Sequence, residues 1–120
     1  IENYRIAVEQ KLLELPAGTC ELGEPPAETA LRELAEETGY RADSISELAT
    51  FLMSPGILDE RMYVYLATGL APGEMALEAG EQITVLPVEW DEAMEMIRDG
   101  RIQDAKTVAG LLYYGTFKRR

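Results

Sequence analysis

The sequence contains no histidine and only one cysteine, Cys20, among its 120 residues. The absence of histidine excludes nucleophile schemes that pair serine or cysteine with a histidine base, and it excludes histidine-based zinc sites. A single cysteine excludes an internal disulfide bond and fits a reducing cytoplasm. Acid–base chemistry must therefore be carried by carboxylates, lysine, tyrosine, Cys20 or a metal-bound water.

Basic residues are also scarce, since 11 lysines and arginines stand against 22 acidic residues and the formal net charge is −11. Nucleic-acid binding normally needs a basic patch, so we expect no nucleic acid partner. No apolar run approaches the roughly 20 residues of a membrane span, and no signal peptide is visible, so we expect no membrane partner. A phosphate compound can still bind an acidic protein when divalent cations lie between the two.

The length and the 47% of apolar residues fit a single domain over residues 1–120. Apolar clusters and alternation predict strands in two short pieces within 1–15 and in the segments 45–53, 61–67 and 83–88. Helical spacing predicts helices over 27–38, over a segment from an N-cap at Asp91 to Arg98, and over 104–117. This order predicts an α/β domain with a mixed sheet and three helices.

The first predicted helix carries a crowded group of charges. At roughly 100° per residue, Glu33, Glu36 and Glu37 lie within an arc of about 100°. Like charges at this spacing repel, and each pair costs an isolated helix roughly 0.2–0.5 kcal/mol. Hard oxygen ligands on one rigid face suit Mg²⁺ or Mn²⁺, and Arg32 can clamp a carboxylate with its planar fork.

The same charges also fit a plain solvated helix face, because glutamate is a good helix former. That interpretation explains less well the glycine-rich segment before the helix, which contains Glu24, and the glycine that ends it, Gly39. The paired prolines, Pro25 and Pro26, suit the first turn of a helix, where a missing N–H costs little.

Residues 18–40, GTCELGEPPAETALRELAEETGY, resemble the Nudix box, G-x5-E-x7-R-E-U-x-E-E-x-G-U, in which U is a bulky apolar residue. Eight specified positions match at the required spacing: Gly18, Glu24, Arg32, Glu33, Leu34, Glu36, Glu37 and Gly39. Tyr40 takes the last apolar position. The box covers about a fifth of the chain, and its fixed spacing makes the resemblance specific.

The resemblance implies a Nudix-type α/β/α sandwich around a mixed β-sheet, and hydrolysis of a nucleoside diphosphate linked to another group. It implies that Mg²⁺, or Mn²⁺, is bound by four groups: the carbonyl of Ala17 and the carboxylates of Glu33, Glu36 and Glu37. Arg32 and Glu36 are expected in the catalytic group. The expected structural supports are Gly18, Gly39 and an ion pair between Glu24 and Arg32. Bound cations would then offset the repulsion on the helix.

A second resemblance concerns Pro55, which lies 15 residues after Tyr40 in the segment SPGILDE. This position resembles the ADP-ribose pyrophosphatase subgroup, as do the segments LPAG and NYR near the start of the chain. The resemblance implies a substrate-binding group made of Arg5, Pro55, Gly56 and Glu60. An ordinary turn at Pro55 and a surface role for Arg5 remain open alternatives.

The subgroup also implies a glutamate base on a loop, for which the segment LEAGEQI offers Glu78 and Glu81. We prefer Glu81 as the catalytic base, because it stands directly before the strand predicted to begin at 83. Either glutamate could instead be a solvated loop residue. The base must reach a water in line with the scissile P–O bond.

The expected reaction is metal-dependent hydrolysis of ADP-ribose to AMP and ribose 5-phosphate. The alternatives are another nucleotide-sugar substrate such as GDP-mannose, another ADP-linked compound, or a Nudix module that binds without turnover. The complete set of Arg32, Glu33, Glu36 and Glu37 argues against a pure binding module. The subgroup implies a homodimer and an N-terminal β segment. The sequence starts at Ile1 without this segment, so we expect either a protein shorter than the subgroup norm or a sequence from which residues have been left out.

Overall fold

The computed structural model describes residues 1–120 and contains five strands, three α-helices and a closing π-helical turn. In chain order these are β1 (Glu2–Arg5), β2 (Gln10–Leu13), α1 (Pro26–Thr38), β3 (Arg41–Leu52), β4 (Arg61–Ala71), β5 (Ile83–Thr84), α2 (Trp90–Arg98), α3 (Ala105–Tyr113) and the π-helical turn (Tyr114–Lys118). The predicted α/β composition with three helices is therefore present. None of these helices is both long enough and apolar enough to span a membrane.

Backbone hydrogen bonds divide the strands into two sheets. In the first, β1 lies between β2 and β5 and is antiparallel to both. In the second, β3 and β4 form a long antiparallel hairpin with an irregularity between Glu47 and Ala49. In place of the one mixed sheet that was predicted, the strands thus form two antiparallel sheets.

Several boundaries differ from the sequence predictions. Strand β3 begins at Arg41, opposite Ala71, so the hairpin extends further toward α1 than its apolar residues indicate. Strand β5 has only 2 residues, which pair with Glu2 and Asn3 of β1. The prediction of Asp91 as an N-cap is wrong: the cap of α2 is Glu89, and its side chain makes no capping bond. The cap of α3 is Asp104, which accepts the N–H of Thr107.

The apolar core lies around α2 and the short strand β5. Its buried apolar side chains are Ile83, Ala93, Met96 and Ile102. Four polar residues are buried as well: Glu14, Thr29, Glu37 and Thr107. Two of these, Thr29 and Glu37, are on α1, whereas the apolar Leu31 on the same helix is 36% exposed. Helix α1 therefore turns part of its acidic side toward the interior, and this orientation positions the site.

Candidate active site

Helix α1 is defined at both ends by residues with restricted or special backbone geometry. Pro26 occupies the first turn, where its missing N–H costs little. Gly39 caps the other end with a left-handed φ of 80°, and its N–H donates to the carbonyl of Ala35. A Cβ at Gly39 would also collide with the carbonyl oxygen of Gly73. Gly39 therefore ends the helix and leaves room for the loop that follows β4 to approach closely.

That loop, residues 72–82, is bonded to the helix it approaches. The N–H of Ala76 donates to the carbonyl oxygen of Glu36 at 2.8 Å. The loop also lies close to the end of the helix at Gly73, where an added Cβ would lie 2.8 Å from the carbonyl oxygen of Gly39. The segment that carries Glu78 and Glu81 is thus attached to the C-terminal end of α1.

Arg32 and Glu24 form the ion pair that the sequence predicted. Nε of Arg32 donates to Oε2 of Glu24 at 2.9 Å, and Nη2 donates to Oε1 at 3.0 Å. Glu24 also accepts the hydroxyl of Thr29 at 2.7 Å. The Arg32 hydrogen bonds, then that of Thr29 and the N–H of Glu21, lower the pKa of Glu24 to about 2. Glu24 therefore remains a carboxylate and fixes the guanidinium in one orientation.

The second edge of Arg32 holds two of the crowded carboxylates. Nη1 donates to Glu33 Oε1 at 2.8 Å and to Glu36 Oε2 at 3.2 Å. Nη2 also donates to the carbonyl of Thr19 at 3.2 Å. One cation thus lies among three carboxylates and offsets part of their repulsion.

Glu37 has a different environment, because its side chain points inward and the residue is only 4% exposed. Its Oε2 accepts the N–H of Ala17 at 3.1 Å. Burial, and then the charges of Glu33 and Glu81, raise the pKa of Glu37 to about 7 against the effect of the Ala17 hydrogen bond. Burial likewise raises the pKa of Glu33. This part of the site carries more negative charge than the protein neutralises.

Gly18 is needed because the side chain of Glu33 packs directly against its Cα. A Cβ built on Gly18 would lie 2.5 Å from Glu33 Cγ and still closer to the carboxyl group. Only glycine leaves room for Glu33 in its observed conformation. The glycine that opens the motif therefore has a steric function in positioning a carboxylate.

The acidic residues fit a divalent cation by the chemistry of their donors. Magnesium and manganese prefer hard carboxylate and carbonyl oxygens, and Glu33, Glu36 and Glu37 offer them on one helix. The excess negative charge around Glu37 is the condition that a cation would relieve. In this conformation no three acidic side chains converge as a ligand group, because Arg32 holds Glu33 and Glu36.

Of the two loop glutamates, Glu81 is the one whose charge affects the carboxylates on α1. Its negative charge is among the causes that raise the pKa of both Glu33 and Glu37. Its Oε1 accepts the N–H of Glu78 at 2.6 Å, which fixes the carboxylate on the loop. Glu81 is partly buried, whereas Glu78 is exposed. These contacts favour Glu81 over Glu78 as the candidate base.

A cleft of about 720 Å³ opens beside α1, between the first sheet and the β3–β4 hairpin. Five of the predicted site residues line it: Arg5, Ala17, Gly18, Glu33 and Glu60. Pro55 and Gly56 do not line the cleft and are exposed on the loop between β3 and β4. The aromatic side chains of Tyr63 and Tyr65 also line the cleft. Trp90 does not line it, and its ring packs edge-on against Tyr114 with the ring centroids 5.4 Å apart.

Two residues that contact Arg5 or its partner, Glu14 and Lys106, were not among those predicted from the sequence. Arg5 donates two hydrogen bonds to Glu14, and Lys106 donates one to the same carboxylate. Glu14 carried a signal, since it is the one charged residue in the apolar run LLELP, where a buried charge needs a partner. No local signal points to Lys106, which is 92 residues away.

The comparison with known proteins decides the family. The NUDIX domain family matches residues 5–111 of this chain. The chain belongs to the Nudix family. The motif over 18–40 and its assignment from the sequence are thereby confirmed.

Two relatives and one solved structure add detail. The chain is 43% identical to the methanol dehydrogenase activator of Bacillus methanolicus and 37% identical to the ADP-ribose pyrophosphatase of Bacillus subtilis (strain 168). Each alignment has 115 residues and covers 94% of this chain and 62% of the relative. A crystal structure of an ADP compounds hydrolase matches with a TM-score of 0.87 and 25% identity, over 96% of this chain and 62% of that one. The match confirms the predicted α/β/α class and the resemblance to the ADP-ribose pyrophosphatase subgroup. This chain therefore spans 62% of the length of each of these three proteins.

Proposed function

We propose that this Nudix domain hydrolyses the pyrophosphate bond of ADP-ribose, with a divalent metal ion, to give AMP and ribose 5-phosphate. The observation that carries the proposal is the arrangement on α1, where Arg32 organises Glu33 and Glu36 beside the buried carboxylate of Glu37. The similarity to proteins named ADP-ribose pyrophosphatase and ADP compounds hydrolase supports the choice of substrate.

The metal in this proposal is Mg²⁺, with Mn²⁺ as a substitute. Glu33, Glu36, Glu37 and the carbonyl of Ala17 would hold it, since these are the hard oxygen donors of the motif and of the residue before it, and Ala17 and Glu33 line the cleft. When bound, the ion supplies Lewis-acid polarisation of the phosphoryl oxygens and neutralises charge that develops on them.

The protein's own groups have separate tasks in this reaction. Arg32 orients Glu33 and Glu36 through Nη1, and the N–H of Ala17 orients Glu37. Glu81 accepts a proton from the attacking water on Oε2, because its Oε1 already accepts the N–H of Glu78.

Substrate binding is proposed for the cleft that Arg5 and Glu60 line together with Glu33. Arg5 contacts a phosphate of the substrate, and Glu60 lies in the same lining at the end of the β3–β4 loop. Pro55 and Gly56 contribute through the shape of that loop, in which the carbonyl of Ser54 accepts the N–H groups of Ile57 and Leu58. A nucleotide sugar such as GDP-mannose, or another ADP-linked compound, is the alternative substrate for the same chemistry.

The first experiment is a hydrolysis assay on a substrate panel, with Mg²⁺ and with EDTA, in which chromatography detects the nucleoside monophosphate that each cleavage releases. The panel contains ADP-ribose, GDP-mannose, an ADP-sugar, a dinucleotide and a nucleoside triphosphate. Preferred cleavage of ADP-ribose that EDTA abolishes is the expected result. Preferred cleavage of another compound that EDTA abolishes would support the metal site and reject ADP-ribose as the substrate. A folded protein that cleaves none of them would favour a module that binds without turnover.

We further propose that the domain acts as a homodimer, which the subgroup resemblance implies. Large apolar side chains such as Ile57, which is 85% exposed, and Leu22, which is fully exposed, are available for an interface. Light scattering coupled to gel filtration distinguishes a dimer of the 13.3 kDa chain from a monomer. The reducing cytoplasm that the single cysteine indicates stays a prediction.

A further inference from the structure

Glu14 is a buried carboxylate that belongs to no motif, and its side chain is 1% exposed. Nε of Arg5 donates to its Oε2 at 2.8 Å, and Nη2 of Arg5 donates to its Oε1 at 2.6 Å. Nζ of Lys106 donates to Oε1 at 3.1 Å. A buried charge needs such partners, and the two-point contact with Arg5 also defines the orientation of the guanidinium plane.

The orientation leaves one edge of Arg5 free. A guanidinium has five N–H donors, and Glu14 uses one on Nε and one on Nη2. Both N–H groups of Nη1 and the second on Nη2 have no acceptor in the protein. The Arg5 side chain is 47% exposed and lines the cleft that Glu33 also lines. Arg5 also lies close enough to Glu37 for their charges to affect each other's pKa.

Lys106 also lines the cleft, but its ammonium group is used within the cluster. Its Nζ donates to Glu14 and to both carboxylate oxygens of Asp104, which accounts for its three donors. Its side chain is only 12% exposed. Lys106 therefore holds Glu14 from helix α3, while Glu14 holds Arg5 at the end of β1.

We propose that Glu14 is a positioning residue for substrate binding, which fixes Arg5 so that its free edge receives a phosphate of the substrate. The inference rests on the proposed function, because it assigns Arg5 to the diphosphate. An arginine whose rotamer is fixed before binding loses less conformational entropy when it contacts phosphate, so the ion pair improves affinity without touching the substrate. A purely structural ion pair would stabilise the fold and leave affinity unchanged.

The test is a double-mutant cycle with Glu14→Gln and Arg5→Gln, measured as KM and kcat for ADP-ribose with Mg²⁺. Glu14→Gln is expected to raise KM about tenfold, in line with one charge-assisted hydrogen bond, and to change kcat less than about twofold. In the Arg5→Gln background it should raise KM no further, because Glu14 acts only through Arg5. Where Glu14→Gln does not fold, Glu14→Asp keeps the buried charge and shifts its distance to Arg5.

Ile102→Val is the matched control, because Ile102 is buried in the core and does not line the cleft. It should lower thermal stability and leave KM unchanged. Binding of inorganic pyrophosphate, followed by calorimetry, provides a readout that needs no turnover, and Glu14→Gln should weaken it by a similar factor.

The outcomes separate the inference from the proposed function. A wild-type protein that does not cleave ADP-ribose but binds pyrophosphate less tightly after Glu14→Gln rejects the function and keeps the inference. An active wild type whose KM and pyrophosphate affinity are unchanged by Glu14→Gln rejects the inference and keeps the function. The inference is also overturned if the two substitutions raise KM independently, or if the wild type binds no pyrophosphate.

Discussion

At the scale of single residues, Arg32 and Glu37 illustrate two ways to keep carboxylates close together. Arg32 donates to Glu24, Glu33 and Glu36, so part of the charge on α1 is balanced within the protein. Glu37 receives only the N–H of Ala17 and is buried. Glu37 therefore has no neutralising partner in the protein, and an added cation should have its largest effect at this carboxylate.

The first prediction concerns Glu37→Gln. The new side-chain carbonyl can still accept the N–H of Ala17, so the fold should be kept while a charged metal ligand is lost. We expect turnover of ADP-ribose to fall at least about a hundredfold, since metal-ion catalysis is worth several kcal/mol. The control is Glu28→Gln, an exposed residue in the first turn of the same helix. Wild-type rates for Glu37→Gln at saturating Mg²⁺ would reject the metal assignment.

A second residue-scale prediction concerns Gly18→Ala. The added Cβ must displace the carboxyl group of Glu33, and a displacement of about 1 Å at a reacting site can cost about a hundredfold in rate. The loss of activity should therefore be much larger than the loss of stability. Gly23→Ala is the control, because Gly23 has a φ of 78° and open space around its Cα. That variant should lose stability and keep its activity, and the reverse pattern would contradict the steric role of Gly18.

At the scale of the elements, the C-terminal end of α1 combines a left-handed cap with a close contact. Gly39→Ala should cost about 1–2 kcal/mol of unfolding free energy from the backbone alone, and more from the collision with the Gly73 carbonyl. Gly100→Ala isolates the first contribution, since Gly100 has a φ of 84° and no atom near an added Cβ. Chemical denaturation should show a larger loss of unfolding free energy for Gly39→Ala than for Gly100→Ala. Equal losses would mean that the loop at 72–82 moves away from the added Cβ without cost.

Elements with local signals at both ends could be predicted from the sequence within a residue or two. Helix α1 was expected from residue 27 and begins at Pro26, because a proline pair and a terminal glycine mark its ends. Strand β5 was expected over 83–88 and has only 2 residues, which pair with Glu2 and Asn3 of β1. Pairing partners, not local propensity, decide where a strand stops.

The candidate site likewise contains some contacts that local spacing predicts and others that it does not. The carboxylates on α1, Arg32 and Glu24 follow from fixed spacing within one helix and the loop before it, and the structure brings them together. The contact of Glu14 with Lys106 joins residues 92 positions apart, so no spacing in the sequence indicates it. Long-range ion pairs of this kind are visible only in the folded chain.

At the scale of the whole molecule, the buried cluster around Glu14 links stability to pH. Burial alone would raise the pKa of Glu14, but the hydrogen bonds and charges of Arg5 and Lys106 outweigh it and lower the pKa. Because the folded pKa lies below the unfolded value of about 4.3, the stabilisation is complete above that pH and is lost as the pH falls through the folded pKa.

We therefore expect Glu14→Gln to be less stable than the wild type at pH 7, by about 3 kcal/mol as for other broken buried ion pairs. The difference should shrink as the pH is lowered below about 4.3, since the wild type then loses the same charge. Urea unfolding of both proteins between pH 7 and pH 2 measures this. Two curves of unfolding free energy against pH that stay parallel over the whole range would show that Glu14 does not make stability depend on pH.

The contact between Leu15 and Thr107 has a consequence for the order of folding. The N–H of Leu15 donates to Oγ1 of Thr107 at 3.0 Å, across 92 residues of chain. Such a contact must close a long loop, whereas the β3–β4 hairpin pairs strands that are neighbours in sequence. We expect the hairpin to form before the rate-limiting barrier and α3 to dock after it. Thr107→Val should then speed unfolding and leave the refolding rate almost unchanged, so the last helix to dock governs how long the native state persists.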